Sequence, residues 1–145
     1  MGTEAIRCVL LGDPHHGLSE GIRSLLESEF EAVVMVADEI SLIESAAKLH
    51  PRVVVADLAL AKGESFGWLR RLLSRCPGSR VIVLSTHDES SVKEAAMAAG
   101  AVGFVPKREI VTRLLPTIDA VLVSARVDQR TASRQHSGGE VRQPD

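Results

Sequence analysis

The residues equipped for chemistry in this chain stand at the ends of short apolar runs. Asp57 closes the run Val53-Val54-Val55-Ala56. A branched apolar run of that length reads as a buried parallel strand, and the carboxyl end of such a strand is where open α/β sheets keep their reactive groups. Asp13 follows Ile6-Arg7-Cys8-Val9-Leu10-Leu11, Ser85 follows Val81-Ile82-Val83-Leu84, and Lys107 lies just past a further apolar run ending at Val105. One carboxylate at a strand tip is weak evidence, because aspartate also caps turns. Two carboxylates, a hydroxyl and an ammonium on one rim of one sheet make a site for charged chemistry.

The elements that must position these groups follow from periodicity. Strand-like runs fall near residues 6–11, 32–36, 52–57, 80–85 and 101–105, and helix-like segments near 16–28, 39–49, 65–75, 89–99 and 109–123. Strands alternating with helices of this length imply parallel crossovers and a sheet covered on both faces. Gly100 is placed to stop the fourth helix, and Pro51 to end the second. Asp88 or Ser90 is placed to cap the fourth helix. Pro116 falls inside the last helix, where it removes a backbone hydrogen bond and crowds the carbonyl of Thr112. It predicts either a kink or a late start near Arg113–Leu115.

Composition narrows the class. With 145 residues the chain suits one domain, and a formal net charge of −2 with no basic stripe gives no sign of direct nucleic-acid binding. Aromatic residues are scarce (Phe30, Phe66, Phe104 and Trp68), so the core must be built from Val, Leu, Ile and Ala. Cys8 and Cys76 have neither metal spacing nor a pairing framework, and they read as free thiols suited to a reducing cytoplasm. No run is long and apolar enough for a membrane span, and no signal peptide is read at the N-terminus. From about Ala125 the chain is rich in Arg, Gln, Ser and Gly, so residues 125–145 are expected to be a disordered polar tail or linker. The folded domain is expected over residues 4–124.

Over residues 5–123 these features resemble the receiver domain of bacterial two-component response regulators, especially those carrying a LuxR-type DNA-binding module. Leu10-Leu11-Gly12-Asp13-Pro14-His15 is similar to the acidic loop after strand one, and Val54-Val55-Ala56-Asp57-Leu58 to the phosphoacceptor strand. Val83-Leu84-Ser85-Thr86 is similar to the Ser/Thr switch strand, and Gly103-Phe104-Val105-Pro106-Lys107 to the last strand with its aromatic residue and lysine.

The resemblance implies a flavodoxin-like, doubly wound (βα)5 domain with a five-stranded parallel sheet in the order 2-1-3-4-5. It also implies that a histidine kinase or phosphotransfer protein hands a phosphoryl group to Asp57. Alignment and charge neutralisation do most of the work in such a transfer. Asp13, Asp57 and the backbone carbonyl of Ala59 would hold Mg²⁺, an ion that takes hard oxygen ligands. Lys107 would meet the phosphoryl oxygens, Ser85 would donate to them, and Phe104 would swing inward behind it. The fourth helix, last strand and last helix would then present a changed surface, used for homodimer pairing or to regulate transcription. The chain would act alone or as part of a longer DNA-binding regulator, in the cytoplasm, with no catalytic turnover of its own.

Some positions depart from the family pattern. Pro14 stands where a second carboxylate usually contacts the metal, which predicts weak Mg²⁺ binding. Ala61 replaces a usual proline and Ser65 a usual glycine. Gly63 could restore a backbone position of positive φ. Lys62 reads first as a solvated loop lysine, and only second as a partial stand-in for the missing metal charge. His15 and His16 lie at the mouth of the site, but the oxygen preference of Mg²⁺ argues against a ligand role. Two functional classes therefore stay open: a phosphoacceptor switch, or an atypical receiver that serves as a binding or dimerisation module with metal-dependent phosphorylation weakened or lost. A flavodoxin-like cofactor binder is a poorer third, because the loop from Gly12 to Gly17 lacks a glycine- and hydroxyl-rich phosphate cradle.

Overall fold

The computed structural model describes residues 8–61, 66–86 and 89–123. The expectations for Ile6 and Arg7, the loop from Lys62 to Ser65, Asp88 and the polar tail lie outside them. The strands are β1 (Cys8–Gly12), β2 (Ala32–Val36), β3 (Val53–Asp57), β4 (Arg80–Ser85) and β5 (Gly103–Pro106). Between them run α1 (His16–Glu27), α2 (Glu39–Leu49), α3 (Gly67–Arg75) and α4 (Ser90–Ala98). A further helix, α5, occupies residues 110–123. The strands form one sheet in the order β2-β1-β3-β4-β5, and every pairing is parallel.

Strand alternation divides the core between the two faces. Val9, Leu11, Val53, Val55, Ile82, Leu84 and Val105 pack with Ile22 and Leu26 of α1 and with Ile110, Leu114 and Ile118 of α5. Leu10, Val54, Ala56, Val81, Val83 and Phe104 face Leu42, Ile43 and Ala46 of α2, Trp68, Leu69 and Leu72 of α3, and Ala96 of α4. Each helix contributes its stripe at three- and four-residue spacing, the period of one helical face. Because both sheet faces are covered, β3 is apolar at every position until Asp57.

Helix ends follow local chemistry, with two corrections to the sequence reading. Asp38 caps α2, accepting from the Ser41 backbone N–H at 2.8 Å. That helix ends at His50, which has left-handed backbone (φ 47°) just before Pro51. Gly100 stops the chain after α4 with φ +119°. Ser90 is not the cap of α4 but its first helical residue; Glu89 takes the cap position, and its side chain makes no capping bond. Its carbonyl accepts from the backbone N–H groups of Val92 and Lys93, whereas a glutamate side chain is a methylene too long to fold back as Ser or Asp does.

The second correction concerns α5. It begins at residue 110, not near Arg113–Leu115, and it stays helical through Pro116. A 3₁₀ turn, Lys107–Glu109, leads into it. Arg113 binds Glu109 at 2.9 Å across the first turn, and the Thr112 hydroxyl donates to the Glu109 carbonyl. Ile110 and Leu114 anchor the helix, while Pro116 lies on its exposed side. These contacts offset the backbone bond that Pro116 removes.

Candidate functional site

Sheet register brings the polar tips together. Gly12 of β1 is level with Ala56 of β3, so Asp13 and Asp57 each stand one residue further along adjacent strands. Asp57 is level with Leu84, and Ser85 with Pro106, which places Ser85 and Lys107 on successive steps of the same rim. Asp13, Asp57 and Ser85 are all buried, at 3%, 2% and 1% exposure. Buried carboxylates and hydroxyls demand partners, and these have them.

Lys107 is the principal partner. Its Nζ lies 3.2 Å from Asp13 Oδ2 and forms an ion pair with Asp57 Oδ2. Its side chain is only 6% exposed. The other oxygen of each carboxylate is spent on the backbone. Asp57 Oδ1 accepts from the Ala59 N–H at 2.8 Å and caps the 3₁₀ turn Leu58–Leu60. Asp13 Oδ1 accepts from the His15 N–H at 2.8 Å. Asp57 is therefore both a turn cap and a pocket residue, each role carried by a different oxygen. The backbone N–H of Asp13 donates to the Val36 carbonyl at 3.0 Å, which ties the loop to the edge strand β2.

One ammonium against two buried carboxylates leaves the pocket one negative charge in excess. Asp13 Oδ2 and Asp57 Oδ2 share that one ammonium and accept no hydrogen bond from any other donor among the described residues. The imidazole of His15 turns toward them, with Nδ1 3.2 Å from Asp13 Oδ1 and 4.0 Å from Asp57 Oδ2. Hard, buried oxygens that share a single ammonium suit a small divalent cation, so the residues present fit Mg²⁺, although Pro14 gives it no ligand. Gly12 makes room at the base of the site. A Cβ there would come within 3.0 Å of both Leu42 Cδ1 and Leu60 Cδ2, the side chains that seat α2 and the Asp57 turn.

Beside Asp57 opens a cleft of about 520 Å³, lined by Ala59, Phe66, Ser85, Thr86 and the first turns of α4. Ser85 thus faces the same opening as Asp57. Phe104 lies behind it, already 6% exposed and packed in the layer of α2, α3 and α4. The four residues at the strand tips do converge as the sequence predicts. His15 stands at the mouth of the pocket as the sequence predicts, whereas its contact with Asp13 and the space kept by Gly12 are not part of that prediction. The sequence signal for the His15 contact is its position two residues after Asp13, and for Gly12 its place at the end of an otherwise bulky apolar strand.

A doubly wound α/β sheet with an acidic pocket closed by a lysine on its carboxyl rim defines a receiver-type domain. The profile of the response regulator receiver domain matches residues 9–119, and the chain belongs to that family. It is 30% identical over 115 residues to the transcriptional regulatory protein DegU of Brevibacillus brevis, covering 78% of this chain and 49% of that protein. It is 33% identical over 102 residues to the DNA-binding transcriptional activator DevR/DosR of Mycobacterium tuberculosis, covering 68% of this chain and 46% of that one. The chain therefore spans about half the length of these curated relatives.

Among solved structures, a LuxR-family two-component response regulator from Aurantimonas sp. SI85-9A1 matches with TM-score 0.74 and 27% identity, over 81% of this chain and 85% of that one. The response regulator domain of Thermotoga maritima CheB shares the fold, with TM-score 0.68 at 22% identity, over 80% of this chain and 96% of that one. No helix among the described residues is long and apolar enough to cross a membrane.

Proposed function

We propose that this receiver accepts a phosphoryl group on Asp57 from a histidine kinase or phosphotransfer protein in the cytoplasm, and passes the change to a partner surface. The observation that carries this reading is the buried Asp57–Lys107–Asp13 cluster beside an open cleft that Ser85 shares. In the transfer, the donor's nitrogen–phosphorus bond breaks as a carboxylate oxygen of Asp57 bonds to phosphorus. The electron pair leaves with the nitrogen. Because such a transition state spreads negative charge over the phosphoryl oxygens, positioned cations do most of the work.

Lys107, now bound to the carboxylates, supplies one of those charges to the new phosphoryl oxygens. The Ser85 hydroxyl donates a further hydrogen bond to them. Asp13, Asp57 and the Ala59 carbonyl would hold Mg²⁺, which when bound neutralises part of the incoming charge. Phosphorylation adds about −1.5 to −2 charge at one point. Ser85 and Phe104 are the residues we assign to sensing it, with α4, β5 and α5 as the altered surface. Control of transcription is the output that its relatives' names suggest, and homodimer pairing through that surface belongs to the same proposal. Residues 4–124 are the proposed extent of the domain, followed by a polar linker.

The test is direct. The protein is incubated with Mg²⁺ and acetyl phosphate, and its intact mass is measured. We expect a single phosphoryl adduct that is absent in Asp57→Asn. No adduct on the wild-type chain would reject phosphoacceptance and leave the atypical binding module, the reading that the missing carboxylate at Pro14 favours.

A further inference from the structure

We infer that His15 is a metal ligand in this pocket, and that the site takes a divalent transition-metal ion in preference to Mg²⁺. The inference rests on reading the pocket as the phosphoacceptor site. The sequence removes one oxygen ligand at Pro14 and, one residue on, supplies a nitrogen that the turn delivers to the same place. Ligand atoms of Asp13, His15 and Asp57 all lie within 4.8 Å of one another. A single ion with bonds of about 2.0–2.3 Å can span that separation.

A second observation comes from the carboxylates. Asp13 Oδ2 and Asp57 Oδ2 are buried, and the one donor close to them among the described residues is the single ammonium of Lys107, which they share. Lys107 leaves the cluster one negative charge in excess, so a dication arriving there meets uncompensated charge. The ligand set decides which dication. Carboxylates alone suit Mg²⁺, Ca²⁺ and Mn²⁺, whereas an imidazole beside them raises affinity for Co²⁺, Ni²⁺ and Zn²⁺ and adds nothing for Mg²⁺. The His15 side chain is 57% exposed, so its ring is accessible to an ion entering from solvent.

The experiment titrates the full chain with CoCl₂ and MgCl₂ by calorimetry and records the visible absorption of bound Co²⁺, with no phosphodonor present. We expect Co²⁺ to bind at least about 10-fold more tightly than Mg²⁺. His15→Ala should weaken Co²⁺ by about 10–100-fold, the range seen when support around a metal is lost. It should also change the Co²⁺ absorption bands while Mg²⁺ affinity stays the same. Asp57→Asn should weaken Co²⁺ as well, which places the ion here and not on another histidine. Pro14→Asp should raise Mg²⁺ affinity and narrow the ratio. Unchanged Co²⁺ affinity and spectrum in His15→Ala would overturn the proposal, as would equal weakening of both ions. Because no phosphodonor is used, the result is separable from the acetyl phosphate test. His15-dependent Co²⁺ binding without an adduct leaves a cation site, and an adduct without it leaves a phosphoacceptor with His15 as a bystander.

Discussion

At the scale of single residues, the pocket is unequal in its charges, and that sets the sign of each substitution. Lys107→Ala would leave two buried carboxylates facing each other, a loss expected to cost about 3–5 kcal/mol in urea unfolding. Asp57→Asn should instead leave stability unchanged or raise it slightly, because Lys107 then faces one carboxylate and the mutual repulsion is gone. Finding the two variants equally destabilised would contradict the geometry. Cys8 gives a pH dependence. Burial raises its thiol above the ordinary range, so the folded chain holds that proton longer than the unfolded chain. This contribution is complete below about pH 8.5 and is lost as pH climbs through the folded value. Cys8→Ala should flatten that part of the alkaline decline in urea midpoint. The strand-tip residues were legible in the sequence because each ends a uniform apolar run. His15 was legible as a residue at the mouth, but its contact with Asp13 was not, because spacing cannot show which way a chain turns after Asp13-Pro14.

At the scale of elements, periodicity located every strand and helix among the described residues to within about two residues, and the misses were at helix ends, where caps decide. Ser90 looked like a cap because of its residue type, yet the chain enters α4 through the Glu89 carbonyl. Pro116 suggested a kink or a late start for α5; the late start is not found, because the helix is held at its first turn by Glu109–Arg113 and by Ile110. Caps that residue type did predict should carry measurable weight. Asp38→Ala removes the bonds to the Ser41 N–H and hydroxyl and should cost about 1 kcal/mol. Gly100→Ala places a side chain at φ +119° and 2.5 Å from Leu73 Cδ1, so it should cost about 1–3 kcal/mol. Thermal melts followed by circular dichroism read both.

At the scale of the whole molecule, the two apolar layers share one sheet, so loss of either should bring down the other. Trp68 is the chain's one tryptophan, 1% exposed in the α2–α3–α4 layer. Its emission should be blue-shifted, and its unfolding transition should coincide with that of far-ultraviolet circular dichroism. Separated midpoints would show the layers melting independently. The sheet also distributes the pocket unevenly. Asp13 and Asp57 extend from β1 and β3, which are paired on both sides, whereas Lys107 extends from β5, a four-residue strand paired on one side only. Strands at a sheet margin open at lower free energy than those at the centre, so amides of β5 should exchange with deuterium sooner than those of β3. Each brief fraying of that margin would withdraw the resident ammonium while the two anions stay fixed, exposing them to an arriving ion or phosphodonor without the protein having to unfold.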